Sequence, residues 1–239
     1  MSKVICNDGV FLITDEMGDI TSGDHGLFYK DTRFLSKYEF KVAGYEFKAT
    51  SCKSENYFKE INLESENSDL LLRRRSYIHE NSFFEQIMIQ NRSTWSKKLS
   101  ISWNFEADFK DIFDIRGFFS GKSGTKFDTV HEQRKIIYSY RGTDGIYRKT
   151  VIKCDSDFTL DVILLPDESR LLNLQVDIIY DSLTAMDTAS YGNDASDVGA
   201  SSVASFERGI EQLEKSYKNW ADECTQIITD NEDFNKILA

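Results

Sequence analysis

Most of the chain alternates between apolar and polar residues, which is the pattern of β-strands that bury one face. The clearest case runs from Leu99 to Phe105, where every second residue is apolar. Because successive side chains of a strand point to opposite sides, this period of two predicts a strand with one buried and one solvated face. The same pattern predicts further strands at residues 10–14, 34–42, 45–49, 70–78, 83–90, 135–141, 146–153, 158–165 and 172–180.

Short turn sequences separate several of these strands and suggest how they pair. Ala43-Gly44 predicts a hairpin between strands 34–42 and 45–49, and Glu80-Asn81-Ser82 predicts another further along the chain. The only proline, Pro166, follows a predicted strand, where the lack of a backbone N–H does least harm. About a dozen or more strands without intervening helices predict an all-β fold, a large antiparallel β-sandwich over residues 1–200.

The apolar period changes near residue 203. Spacings of three and four predict an amphipathic linker helix in a second segment, residues 201–239, and such a helix needs a surface on which to dock. That surface is either the domain's own sheet or a second domain, and the sequence leaves both open. We expect a polar linker from Asp181 to Ser202, and a second helix that begins near Asp230. Trp220 is expected to anchor the stripe, which comprises Val203, Phe206, Ile210, Leu213, Tyr217 and Trp220.

The charge of the chain argues against two classes of partner. The 239 residues carry a formal net charge of −11 and the pI is about 4.8, so neither nucleic acid nor an anionic membrane surface is an expected partner. No apolar run approaches membrane-spanning length, and the amino terminus has no signal segment. The four cysteines and three histidines are scattered without metal-binding spacing. We therefore predict no metal, no cofactor and a cytoplasmic location with reduced thiols.

A glycine-punctuated loop, Gly23–Gly26, leads into the first candidate site. Asp31, Thr32 and Arg33 follow in direct succession, flanked by aromatic residues. Asp31 and Arg33 lie two apart, so in an extended chain their side chains point to the same side and we predict that they pair. The pair is either a structural salt bridge that fixes the loop or a set of charges that points into a site shared with another domain.

Three carboxylates recur at intervals of three residues in the second candidate site: Asp108, Asp111 and Asp114. Their spacing does not match a calcium loop. Glycosidase chemistry needs two carboxylates that face each other about 5 to 9 Å apart, which one helical turn does not provide. We favour a turn of helix after a strand, with Asp114 and Arg116 oriented by local hydrogen bonds, over a catalytic or metal-binding cluster. No catalytic residue is predicted in this chain.

Three segments, in order along the chain, carry a family resemblance. Gly26–Ser36 resembles the hallmark of the N-terminal domain of bacterial and archaeal glycogen debranching enzymes of the amylo-α-1,6-glucosidase type. Ala107–Gly117 and the segment from Trp220 to Asn235 fit the same family. The resemblance implies a β-supersandwich, followed after Asn235 by a helical toroid that carries the catalytic carboxylates. Because the sequence ends at Ala239, we expect that toroid to be missing.

The resemblance also implies a role. We expect a non-catalytic domain that supports the helical catalytic domain and shapes an α-glucan cleft, so its partners would be that domain and an α-glucan oligosaccharide. Two alternatives stay open: a free-standing carbohydrate-binding β-sandwich module, and a small enzyme that acts through Asp31 and the Asp108 cluster. The residues predicted at the cleft or the domain interface are Asp31, Thr32, Arg33, Asp108, Asp111, Arg116 and Trp220.

Overall fold

The computed structural model describes residues 3–21, 23–118, 123–181 and 202–224, and within them the protein consists mostly of antiparallel strands. The strands are β1 (Lys3–Asn7), β2 (Val10–Thr14), β3 (Gly26–Tyr29), β4 (Thr32–Leu35), β5 (Lys37–Val42), β6 (Phe47–Ser54), β7 (Phe58–Ser65), β8 (Leu70–His79), β9 (Ser82–Asn91), β10 (Lys97–Glu106), β11 (Thr125–Lys126), β12 (Val130–Glu132), β13 (Lys135–Arg141), β14 (Tyr147–Cys154), β15 (Thr159–Leu164) and β16 (Ser169–Asp181). The helices are α1 (Ile112–Ile115) and α2 (Ser202–Glu223). The predicted all-β sandwich with a C-terminal helix is confirmed.

Three sheets enclose one hydrophobic core. A nine-stranded sheet has the order β11-β13-β14-β16-β9-β8-β7-β6, with β12 paired to β13. The two smaller sheets have the orders β1-β2-β3-β4 and β15-β10-β5. The core draws fully buried side chains from all three sheets, among them Leu12, Ile87 and Ile101. The inward-facing side chains of the three sheets therefore form one shared core, as a sandwich requires.

Many strand predictions are confirmed, and one hairpin prediction is wrong. β8 and β9 form the hairpin expected around Glu80–Ser82, and Pro166 does follow β15. The predicted strand 34–42 breaks at Ser36 into β4 and β5, which lie in different sheets. The turn at Ala43-Gly44 exists, but β5 pairs with β10 and β6 pairs with β7. Burial of Phe40 against Trp103, whose ring centroids lie 5.1 Å apart, outweighs the local turn signal.

Helix α2 docks on the outer face of the nine-stranded sheet. Phe206, Ile210 and Leu213 are buried there in a cluster that includes Tyr57, Phe58 and Tyr77 from the sheet. A Cβ on Gly209 would lie 2.2 Å from the Tyr77 hydroxyl oxygen, so this position of the helix has room only for glycine. Of the two predicted docking surfaces, the helix therefore uses the domain's own sheet.

Trp220 does not anchor this helix, so that prediction is wrong. Its side chain is 66% exposed, because the aromatic cover of the sheet ends at Tyr57, which stacks on Tyr217 one turn earlier. The predicted linker from Asp181 to Ser202 lies almost wholly outside the described residues, and the second helix near Asp230 lies entirely outside them. In the described part of the chain, neither helix has the length and apolar character needed to cross a membrane.

Candidate functional site

The buried guanidinium of Arg33 lies at the centre of the first candidate site. Its Nε donates to Asp108 Oδ1 at 3.1 Å and its Nη2 to Asp108 Oδ2 at 2.5 Å. Its Nη1 donates to the carbonyl oxygens of Gly23, at 2.6 Å, and His25, at 3.1 Å. A planar fork suits these roles because it binds a carboxylate with two parallel hydrogen bonds and still has donors to spare. Arg33 thus joins strand β4, the loop before β3 and the segment after β10.

Asp31 is not the partner of Arg33, and the predicted pair is wrong. Lys30 and Asp31 form a two-residue turn between β3 and β4, with φ of 46° and 61°. The prediction assumed an extended chain, but the backbone reverses at Asp31 and leaves its side chain exposed. Positive φ at both central positions is the geometry of a type I′ hairpin turn.

Backbone hydrogen bonds join this turn to the segment that follows β10. Arg33 N donates to the carbonyl of Lys110 at 2.9 Å, and Ile112 N donates to the carbonyl of Asp31 at 2.9 Å. Thr32, whose side chain is buried, forms an isolated β-bridge with Asp111. We name these residues, Gly23–His25, Tyr29–Arg33 and Asp108–Phe118, the Arg33 corner.

The aspartates of the corner have separate structural roles, which confirms the favoured turn of helix. Asp111 caps α1, and its Oδ1 accepts from the amide of Phe113 at 2.8 Å. Asp114 lies in the first turn of that helix, and Arg116 closes it with an amide that donates to the carbonyl of Ile112 at 3.1 Å. Asp108 lies outside the helix. Within the described ranges, no group of three or more His, Cys, Asp or Glu residues is placed to hold a metal ion.

Gly26 makes room for the buried guanidinium. A Cβ at this position would lie 2.5 Å from Arg33 Cδ and 2.8 Å from a ring carbon of Phe28. At Gly23, by contrast, an added Cβ would meet nothing within 4 Å. The requirement for glycine at position 26 is therefore space for the Arg33 side chain.

The corner exposes aromatic side chains and contains several residues with positive φ. Phe113 and Phe118 are 58% and 71% exposed. Among the described residues, seven that are not glycine have positive φ, and Lys30, Asp31 and Phe109 of the corner are three of them. Phe109, with φ of 55°, is held by stacking on Tyr140 at 5.3 Å between ring centroids. Strain of this kind collects where a fixed backbone shape serves a purpose.

A second group of charges, which was not predicted from the sequence, lies inside the core. Arg74 Nε donates to Glu85 Oε1 at 3.0 Å, and Arg74 Nη1 donates to Asp19 Oδ1 at 2.5 Å. Burial raises the pKa of Glu85 well above its usual value, and it also raises the pKa of Asp19, against the effect of Arg74. Burial, helped by the charge of Arg74, lowers the pKa of Lys59 to about 7. The Lys59 ammonium group donates to Thr14 Oγ1 at 2.6 Å.

This internal group is structural in the described part of the chain. The side chains of Arg74, Glu85 and Lys59 are no more than 3% exposed, so a substrate cannot reach them. The Tyr38 hydroxyl donates to Glu85, which adds a strand of the three-stranded sheet to the network. The group therefore connects the three-stranded sheet with the nine-stranded sheet. The Arg33 corner remains the candidate functional site.

Comparison with known proteins gives one family match and several solved structures of low similarity. A candidate aldose 1-epimerase from Escherichia coli K12 has a TM-score of 0.46 at 9% identity, covering 76% of this chain and 99% of that one. A galactose mutarotase-like protein from Lactobacillus casei has a TM-score of 0.42 at 8% identity, with 75% and 100% covered. A polysaccharide lyase has a TM-score of 0.39 at 9% identity, with 74% and 32% covered.

The family comparison bears on most of the chain. No curated protein matches the sequence. The family described as the N-terminal domain of some glycogen debranching enzymes matches residues 5–175, which include the whole Arg33 corner. The resemblance noticed in the sequence is thereby confirmed, and the chain belongs to this family of N-terminal domains of glycogen debranching enzymes.

Proposed function

We propose that the chain is the non-catalytic N-terminal domain of an amylo-α-1,6-glucosidase-type glycogen debranching enzyme. In this proposal the Arg33 corner supports a helical catalytic domain and forms one wall of an α-glucan cleft. The observation that carries the proposal is the family match over residues 5–175. The free thiols of Cys6, Cys52, Cys154 and Cys224 support a cytoplasmic location for the enzyme.

The build of the corner supports a role as a cleft wall. The guanidinium of Arg33 donates its hydrogen bonds to groups inside the protein, so it holds the corner rigid rather than contacting a ligand. The exposed groups of the corner include the carboxylate of Asp31, the guanidinium of Arg116 and the rings of Phe113 and Phe118. Rigid loops that display polar and aromatic side chains are where binding sites tend to lie.

The carboxylates of the corner support a non-catalytic role. Both oxygens of Asp108 accept hydrogen bonds from Arg33, and Asp111 Oδ1 caps a helix. These bonds fix each side chain against partners of the protein itself, whereas a general acid must reach the substrate to transfer a proton. The alternative of a small enzyme that acts through Asp31 and Asp108 is thus disfavoured.

Glucose release from a branched dextrin tests the proposal in two forms of the protein. The chain of 239 residues should release none above buffer background. The full-length protein, in which the proposed helical domain follows, should be active and should lose at least about tenfold in kcat/KM when Phe113 and Phe118 are both replaced by alanine. The matched control replaces Ile163 and Leu165, which are 65% and 59% exposed on another part of the surface.

The two outcomes against the proposal are distinct. Turnover by the chain alone would show that the domain is itself catalytic. Equal kcat/KM in the Phe113/Phe118 variant and the Ile163/Leu165 control would show that the corner does not reach the cleft.

A further inference from the structure

A groove lies where the end of α2 meets the turn between β6 and β7. Its volume is about 480 Å³, which falls within the range of small-molecule sites. Aromatic and polar side chains share its lining: Glu55, Asn56, Tyr57, Tyr217, Lys218 and Trp220. None of them belongs to the Arg33 corner.

The floor of the groove is fixed before any ligand arrives. Tyr57, which is 6% exposed, stacks on Tyr217 with 4.4 Å between ring centroids. The Tyr217 hydroxyl donates to Asn7 Oδ1 at 3.1 Å, which ties α2 to strand β1. The carbonyl of Asn56 accepts from the amide of Cys6 at 2.5 Å. A preformed floor reduces the entropy lost when a ligand binds.

The chemistry of the walls matches a neutral sugar. Trp220 is 66% exposed on a helix whose preceding turns are docked, so it offers a broad indole face to the C–H groups of a pyranose ring. Around it, a carboxylate, an amide and an ammonium group offer both acceptors and donors to sugar hydroxyls. Glu55 and Lys218 carry opposite charges, and the net charge of −11 on the chain disfavours an anionic ligand.

The strand register places this groove at the same end of the four-stranded sheet as the Arg33 corner. Asn7 pairs with Val10, Val10 with Tyr29, and Tyr29 with Thr32, which bridges to Asp111. Neighbouring strands lie 4.7–4.9 Å apart, so Asn7 and Thr32 are separated by roughly 14 Å along this rim. One extended oligosaccharide can span such a distance.

We propose that the groove is a second α-glucan subsite, in which Trp220 stacks on a glucosyl residue at the far end of the rim from the Arg33 corner. The assignment of the ligand as an α-glucan rests on the proposed function. The assignment of the groove as a sugar site rests on its own residues.

Titration of the 239-residue chain with maltoheptaose tests this inference, by calorimetry and by tryptophan fluorescence. The wild-type chain should bind, with a shift in emission as the indole of Trp220 leaves water. Trp220→Ala should bind at least tenfold more weakly. The matched control is Trp95→Ala, because Trp95 is 60% exposed outside the groove and should not affect binding.

Three results would overturn the inference: no heat or emission change with maltoheptaose, equal binding by Trp220→Ala, or equal weakening in Trp95→Ala. Equal affinity for cellohexaose, a β-linked glucan, would contradict the α-glucan assignment. This assay is independent of turnover. The inference about the groove is tested by maltoheptaose binding, and the proposed function is tested by the activity of the Phe113/Phe118 variant. Either can therefore fail without the other.

Discussion

Arg33 and Asp108 lie seventy-five residues apart in the sequence, and two parallel hydrogen bonds join their side chains. The ion pair connects strand β4 with the segment after β10, and so it joins two of the three sheets. The same guanidinium holds the loop before β3 through two carbonyl oxygens. Three chain segments therefore take their relative positions from one side chain.

Loss of the Asp108 carboxylate should destabilise the domain. Asp108→Asn leaves a guanidinium that is 8% exposed without its counter-charge, and removal of one partner of a buried pair costs about 3–5 kcal/mol. Because the Asp108 side chain is 18% exposed, we expect a smaller loss, about 2–3 kcal/mol, in urea denaturation. Asp31→Asn is the control. It should change the free energy of unfolding by less than about 0.5 kcal/mol, since Asp31 is exposed and asparagine tolerates positive φ.

Gly26→Ala should disturb the same pair through steric overlap. The added methyl group would have to displace Arg33 or Phe28, and overpacking of this kind costs about 1–3 kcal/mol. Gly23→Ala, where nothing lies within 4 Å, should leave stability unchanged or raise it slightly, because alanine restricts the unfolded chain. Thermal melting of both variants gives the comparison. Equal melting temperatures would mean that the loop before β3 moves to make space.

Phe206 should anchor α2 where the sequence suggested Trp220. Phe206 is 4% exposed against Tyr77, so Phe206→Ala should cost about 3–5 kcal/mol in chemical denaturation. Trp220→Ala should cost less than about 1 kcal/mol, because its side chain is 66% exposed. The opposite ranking would show that the end of the helix, and not its first turns, docks on the domain.

The buried ammonium group of Lys59 should make stability increase with pH. Burial lowers its pKa to about 7 in the folded protein, whereas the unfolded chain keeps the ordinary value of 10.5. Between these values the unfolded chain binds a proton that the folded protein does not. The free energy of unfolding should therefore rise by up to about 1.4 kcal/mol per pH unit above pH 7.

Lys59→Met isolates this effect from other titrating groups. The free energy of unfolding of this variant should lack the rise that Lys59 causes between pH 7 and pH 9. At pH 7 this free energy should exceed that of the wild type. The free energies of unfolding come from urea denaturation at each pH. Parallel pH dependence in the two proteins would show that Lys59 stays charged in the fold, held by the carboxylates around it.

Strand positions could be predicted from the sequence, but strand partners often could not. A period of two marks a strand wherever one face is buried, so β2, β9 and β10 were located well. The pairing of β5 with β10 depends on packing between distant parts of the chain, which a local turn signal at Ala43-Gly44 cannot report. The C-terminal helix was predicted because its stripe follows helical periodicity over five turns.

In the candidate site, too, positions could be predicted from the sequence but partners could not. Arg33 was expected to need a partner because it lies among aromatic residues, but the sequence could not say that the partner is Asp108. Arg74 was missed although its signal was present. It occupies the same phase of strand β8 as Leu70 and Leu72, and that phase points into the core. Exposed positions such as Trp220 were mistaken for core because periodicity says where a helix face lies, and not where its docking surface ends.

The measurement that tests the central claim most directly is kcat/KM of the full-length enzyme for a branched dextrin after Asp31→Gly. Glycine suits φ of 61°, so the variant removes a carboxylate from the rim without strain. Asp167→Gly is the matched control, because Asp167 is also exposed and also has φ of 61°. We predict that Asp31→Gly lowers kcat/KM at least tenfold, or about 1.4 kcal/mol, while Asp167→Gly leaves it unchanged. Wild-type kinetics in a folded Asp31→Gly enzyme would contradict the claim that the Arg33 corner forms a wall of the α-glucan cleft.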